Sequence, residues 1–479
     1  MKAIAGFLFI LLASFAAAQT AKRPFTFEDM MKLKRVSGPV PSPDGKWVVF
    51  DAQDVDLEAN TKIAHLWVVP ANGGESRRLN QTPNHEERPR FSPDGRKLIW
   101  TSKATDPTQI WMCDFDPETG TLTGQPRQVT NISTGADGGI WSPDGKNIVF
   151  VSSVFPDCKD DDCNKKRLEE LKKSKVKALV FSRLFYRHWN AFNEFRRSHL
   201  FVVSADADPM NFHRVLKDEI ETTKQTGANQ WTQPAPTKVQ EVDTPRDLTP
   251  GDHDVPPFNL GGQDMYAISP DGHELAYTSN IDEVEATSTN NEIFVVPIGG
   301  GTPKKISSSP GADATPLYSP DGKYLAWRSQ ARAGFEADKW RLFVQDRQSG
   351  KTRDLTEKFD RSVGSFTWEP NSNRLAFAAE DHGGAPIFGV SVQEAEPAGG
   401  GTDALHADDL VFSGDVLFFT RMSARAPTEI WREDATPKDT MGTYSLDSFL
   451  KPVTHMNDAL LSQIDMQPLE SFTFKGAND

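Results

Sequence analysis

Arg183-Leu184-Phe185-Tyr186-Arg187-His188-Trp189 is the stretch of this 479-residue chain best equipped for recognition chemistry. Arginine offers a planar fork that matches a carboxylate, and tyrosine and tryptophan offer amphipathic contact area. Arg187, His188 and Trp189 are therefore candidates for holding a peptide; the competing reading packs the same aromatics onto their own part of the fold. Reacting groups are harder to find. No G-x-S-x-G elbow occurs, and the Ser-Gly pairs at Ser37, Ser349 and Ser413 lack a strand-turn-helix context. No H-E-x-x-H, Walker loop or dinucleotide fingerprint is present, so the sequence predicts no catalytic residue, no metal site and no cofactor. His253, between Asp252 and Asp254, reads either as a metal ligand or charge-tuned base, or as part of a turn stiffened by Pro256 and Pro257.

The first residues, MKAIAGFLFILLASFAAAQT, carry a positive start, a short apolar run and a small-residue cleavage site before Gln19. That pattern predicts a signal peptide over 1–18 and a secreted or periplasmic product, with a retained amphipathic anchor as the rival. No later segment has the length of a membrane-spanning helix. In an oxidising compartment, Cys158 and Cys163 of PDCKDDDCNKK read as a local disulfide; a metal site competes, although its usual Cys and His partners are not close in sequence. Cys113, in QIWMCDF, reads as a buried, inert strand thiol.

These candidates must be positioned by something, and the chain declares it by repetition. PSPDGKWVVF from Pro41, FSPDGRKLIW from Phe91, WSPDGKNIVF from Trp141, ISPDGHELAY from Ile268, YSPDGKYLAW from Tyr318 and WEPNSNRLAF from Trp368 are copies, with FSGDVLFFTR from Phe412 a degenerate seventh. Pro fixes φ, Asp bonds the local backbone and Gly accepts positive φ, so each Ser-Pro-Asp-Gly is a tight turn between strands. A further strand follows at a regular offset (HLWVV, QIWMC, HLFVV, EIFVV, RLFVQ, PIFGV, EIWRE), and a fourth closes most units (RRLN, RQVT, RDLT, KKIS, RDLT, PVTH). Four short antiparallel strands per unit predict an all-β fold, a seven-bladed β-propeller spanning 38–462. The one wide gap between copies places insertions in blade 3 at about 154–197 and 206–245, the first partly helical through Lys165–Val176. A lead over 19–37 reads as a short helix capped by Thr26, with Asp29 three residues on.

Composition narrows the partners. Hydrophobic residues make up 37%, enough for a core, and the formal charge of −14 disfavours nucleic acid.

The SPDGK units, the export signal and the blade 3 insertion together resemble the N-terminal propeller of prolyl-oligopeptidase-family serine peptidases, in the acylaminoacyl-peptidase and dipeptidyl-peptidase V branch. More particular cues are TFEDMMKLKRVSGPVPSPDGKWVVF, SSVFPDCKDDDCNKKR, LFYRHWN, TPGDHDVPPF and PVTHMNDALLSQIDMQPLESFTFKGAND. The resemblance implies a propeller that lies over an active-site cavity, admits short peptides and helps hold their N-terminal end. It also implies an α/β-hydrolase domain carrying Ser, Asp and His, in cis or in trans. Residues 463–479 read as the start of the linker to that domain, Phe472-Thr473-Phe474-Lys475-Gly476 resembling its opening strand. The expectation is that this stretch alone is inactive as a peptidase. The alternative is a free-standing periplasmic propeller that binds a protein or small ligand.

Overall fold

The Ser-Pro-Asp-Gly turn builds five of the seven blades in the same way. In the computed structural model, which describes residues 22–181, 184, 186–188, 190–209, 244–258, 265–400, 406–434 and 450–477, Ser42 Oγ donates to Asp44 Oδ1 at 2.6 Å. Asp44 Oδ1 accepts Lys46 N–H at 3.2 Å, and Ser42 Oγ accepts Trp47 N–H at 3.0 Å. The same three bonds recur at Ser92/Asp94, Ser142/Asp144, Ser269/Asp271 and Ser319/Asp321. Gly45, Gly95, Gly145, Gly272 and Gly322 close these turns at φ between +69° and +73°, the left-handed region that glycine enters without strain.

Seven antiparallel sheets follow, each of consecutive strands. The first strands are Val40–Pro41, Glu86–Phe91, Asp137–Trp141, Tyr266–Ile268, Asp313–Tyr318, Val363–Trp368 and His406–Ser413. In blade 1 this edge is broken at Gly38, so Arg35–Val36 and Val40–Pro41 pair separately with Trp47–Asp56. The sixth blade closes with Ala398–Gly399, a strand too short and glycine-rich to show a hydrophobic pattern.

Each middle strand is buried on both faces, and alternate residues serve opposite neighbours. Ile148 and Phe150 pack toward blade 2, while Val149 between them packs toward blade 4. Seven apolar clusters result among the described residues, one at each blade-blade interface. Fully burying a side chain of this size contributes about 1.5–3 kcal/mol, so these interfaces carry the fold. A polar device repeats at the strand edges: a Ser or Thr hydroxyl after the fourth strand accepts an N–H of the third. The pairs are Ile110–Thr130, Leu200–Thr249, Ile293–Ser307, Leu342–Thr356 and Ile430–Thr454, at 2.8–2.9 Å.

The ring shuts between blades 7 and 1 without sharing a strand. Phe418, Ile430 and Val453 of blade 7 pack on Val48, Phe50 and Val69 of blade 1. Asn457, buried, accepts Lys34 N–H at 2.8 Å and donates to Lys34 O at 3.1 Å. Arg23–Pro24 pairs in parallel with Ile464–Asp465. The lead helix Phe27–Lys32 is held at Thr26 by a capping box with Asp29, which Arg23 also grips through two hydrogen bonds, so its carboxyl lies well below the usual range.

The blade 3 insertion leaves between strands Asn147–Val154 and Arg197–Ser204. Its helix runs Asp161–Lys173, four residues earlier than the charge pattern suggests, because the Asp160 side chain accepts Cys163 N–H and starts it there. Cys158 and Cys163 are joined by a disulfide beside this cap. Most of the second insertion, with the 1–18 leader, lies outside the described residues.

Candidate functional site

The first strands of all seven blades line a central channel of about 1040 Å³. Their backbones are not regular. Bulges interrupt the pairing between Glu87 and Arg90, Asp137 and Ile140, Ala314 and Leu317, Val363 and Phe366, and Asp408 and Val411. Arg88, Thr315 and Asp409, non-glycine residues on this wall, sit at φ of 58°, 59° and 51°. Such conformations cost on the order of 1 kcal/mol or more, and bulges of this kind re-aim side chains.

Five acidic or basic residues line the channel: Asp51, Arg88, Arg90, Arg328 and Asp409. Arg88 Nη1 pairs with Asp137 Oδ2 at 2.9 Å, and Thr101 Oγ1 donates to Asp137 Oδ1 at the same distance. Asp51 Oδ1 accepts Arg88 N–H at 3.2 Å, and burial pushes its carboxyl above the usual range. Arg328 Nε donates to Thr315 Oγ1 at 3.1 Å and its guanidinium covers the Trp340 ring. Tyr266 donates its hydroxyl to Gly138 O, tying blade 4 to the bulge of blade 3. Apolar wall is supplied by Phe91, Ile140, Trp141, Phe366 and Phe412.

The residues singled out in the insertion lie elsewhere. Arg187–His188 forms a small hairpin with Ala191–Phe192; Arg187 is exposed, and His188 Nδ1 meets Phe258 O at 3.0 Å. Neither lines the channel, and Trp189 lies outside the described residues. Phe181 stacks with Tyr186 at 5.0 Å and with Phe195 at 4.8 Å, so much of the aromatic character is spent on the insertion's own packing. Phe192 and Phe195 remain exposed.

Asp252 and Asp254, flanking His253, turn to an arginine. With Glu285 they clasp the buried Arg197, at 3.0, 2.6 and 2.5 Å. This clasp fixes the root of the insertion, and sequence reasoning missed it because its members are 55 and more residues from Arg197. Cys113 is buried and its Sγ donates to Thr123 O at 3.3 Å; burial pushes the thiol up, away from the reactive thiolate. Among the described residues no group of three or more His, Cys, Asp or Glu side chains could hold a metal ion, and no helix is long and apolar enough to cross a membrane.

No family model matches the chain. It is 27% identical over 443 residues to dipeptidyl-peptidase 5 of Porphyromonas gingivalis, covering 92% of this chain and 57% of that protein. A probable dipeptidyl-peptidase 5 of Arthroderma benhamiae is 24% identical over 396 residues, covering 79% and 49%. The fold is shared with the Pyrococcus horikoshii acylaminoacyl peptidase, at a TM-score of 0.61 and 13% identity over 94% of this chain and 57% of that one. It is shared too with the β-propeller domain of the Trilobed protease from Pyrococcus furiosus, described as having an open velcro topology, at a TM-score of 0.53 and 12% identity over 89% and 97%. The chain thus spans about half the length of the curated relatives it matches, and what it spans is their propeller.

Proposed function

We propose that this chain is the substrate-admitting propeller of an exported serine exopeptidase that acts on short peptides, of the dipeptidyl- or acylaminoacyl-peptidase kind. The observation that carries the reading is the match of 92% of the chain to the propeller-bearing 57% of a dipeptidyl-peptidase. In this reading the Ser, Asp and His that break the bond belong to an α/β-hydrolase domain, joined in cis or met in trans. The propeller contributes exclusion and positioning. Its channel, walled by seven first strands, excludes folded chains, and the blade 3 hairpin bearing Arg187 and His188 meets the substrate's N-terminal end. Export follows from the 1–18 leader, with the mature chain beginning at Gln19.

The test is made on native material captured from its source with an antibody to the propeller. The expected result is a polypeptide well above 53.1 kDa, or a stable complex with a second chain, that releases dipeptides or acylated residues and is silenced by a serine-directed phosphonate. Captured protein at or below 53.1 kDa, alone and without peptidase activity, refutes the reading. Recovery of the protein in the cytosol with Met1 still in place refutes export.

A further inference from the structure

Three of the five acidic or basic side chains on the channel wall are arginines, in a chain whose net charge is −14. Two of them have their partners already: Arg88 in Asp137, Arg328 in Thr315 and the Trp340 ring. Arg90 does not. Its Nη1 donates to the neighbouring Pro89 O at 2.8 Å, and among the described residues no carboxylate pairs with its guanidinium. The ionisable groups that face it are Asp51 of blade 1, Asp409 of blade 7, Tyr266 of blade 4 and its own neighbour Arg88. Asp51 is engaged by the Arg88 N–H, Asp409 accepts Thr420 Oγ1 at 3.1 Å, and Tyr266 gives its hydroxyl to Gly138 O. Burial disfavours the charge on Arg90, and Asp51 and Asp409 offset it only through space, so an incoming carboxylate would give the guanidinium the direct charged bond it lacks.

The setting is built. The bulge between Glu87 and Arg90, with Arg88 held at φ 58°, brings both arginines to the channel wall. Trp141 closes one side, its indole N–H donating to Arg90 O at 3.2 Å. Ile140, Phe91 and Phe366 add apolar surface on which small side chains can rest.

We propose that the channel contains a carboxylate-binding site centred on Arg90, with Arg88 beside it and Trp141 as its wall, that takes the free C-terminal carboxylate of a short peptide. The apolar surroundings favour a peptide end over a bare inorganic anion, and that choice of bearer rests on the reading of the propeller as a peptide compartment.

The test titrates the whole chain calorimetrically with N-acetyl-Ala-Ala, with its C-terminal amide and with sodium acetate, at low ionic strength. The acid is expected to bind about tenfold or more tightly than the amide, the scale of one charge-assisted contact, and acetate is expected to compete with it. Arg90→Met is expected to erase the difference while the melting temperature holds. Arg90→Lys, which keeps the charge without the fork, keeps a reduced preference and serves if the Met variant fails to fold. Equal binding of acid and amide overturns the carboxylate site and leaves the peptide compartment standing. Binding of neither peptide overturns both. A preference for the acid that survives in Arg90→Met also overturns the site.

Discussion

Asn457→Ala tests whether the ring is held shut at the seam between blades 7 and 1. The Asn457 side chain makes three hydrogen bonds there: from Lys34 N–H at 2.8 Å, to Lys34 O at 3.1 Å and to Glu429 Oε1 at 3.2 Å. Removing it strands both backbone groups of Lys34 and takes one donor from a buried carboxylate. A neutral bond contributes about 1 kcal/mol and one to a charged group about 1.5–3 kcal/mol, but Lys34 is only half-buried and water recovers part of the loss. The net expectation is a loss of about 2–3 kcal/mol. For a domain of this size that lowers the melting temperature by about 2–3 °C, read by near-ultraviolet circular dichroism. Asn290→Ala, which deletes a single surface bond of 3.2 Å to Asp282, should cost less than about 1 kcal/mol. Limited proteolysis should also cut the lead before Lys34 earlier in the variant. A shift below about 1 °C for Asn457→Ala would show that apolar packing alone shuts the ring, and the argument from the seam bonds would be wrong.

Three further outcomes are expected. Burial raises the Glu86 carboxyl to about 7 in the folded chain, so its stabilising protonation is present below the unfolded value and lost as pH rises through 7. Glu86→Gln keeps the oxygen that takes Asn80 and Trp100, and should be more stable than the parent at pH 8 by up to about 3 kcal/mol in denaturant unfolding, with the gap closing at pH 4; a gap independent of pH rejects this. The turn carboxylates of Asp94, Asp144, Asp271 and Asp321 have the opposite sign. Hydrogen bonds hold them below the usual range, Asp321 at about 2, so their contribution is present above the unfolded value and lost as pH falls below about 4. Asp321→Asn should flatten the melting-temperature profile between about pH 4 and 2, and an unchanged slope counts against it. Arg197→Met leaves the buried Asp254 carboxylate without its cation and should destabilise by about 3–5 kcal/mol at neutral pH, with the insertion becoming the first site of proteolysis; wild-type resistance of the insertion refutes its anchoring.

The architecture was legible because its cause is local. A turn that needs Ser, Pro, Asp and Gly at four adjacent positions writes itself into the chain five times, and two worn copies, WEPNSN and FSGD, complete the count of seven blades. The WEPNSN copy shows how far this tolerates wear: Asn371 accepts Asn373 N–H at 2.8 Å in place of the aspartate, and Ser372 takes φ 61° in place of glycine. The channel was not legible, and for a physical reason. Arg88, Thr315 and Asp409 adopt a left-handed backbone that their side chains disfavour, so packing from the neighbouring blades imposes it and no residue type announces it. Arg90 likewise looks ordinary in EERPRF. Only the ring places it near Asp51, Tyr266 and Asp409, from three other blades. The insertion's aromatics, conspicuous in sequence, turn largely to one another.

The meeting of the two ends, with Arg23 N–H donating to Gln463 O at 3.1 Å, makes the ring a loop with no privileged starting point. Each of its seven joints is an apolar cluster, and the one the backbone skips is built like the six it crosses. A gene cut in the loop near Ser308, with residues 463 and 23 bridged by a few glycines, should therefore yield the same propeller read from a different blade. Blade order along the polypeptide is then free to change while the circle keeps its shape.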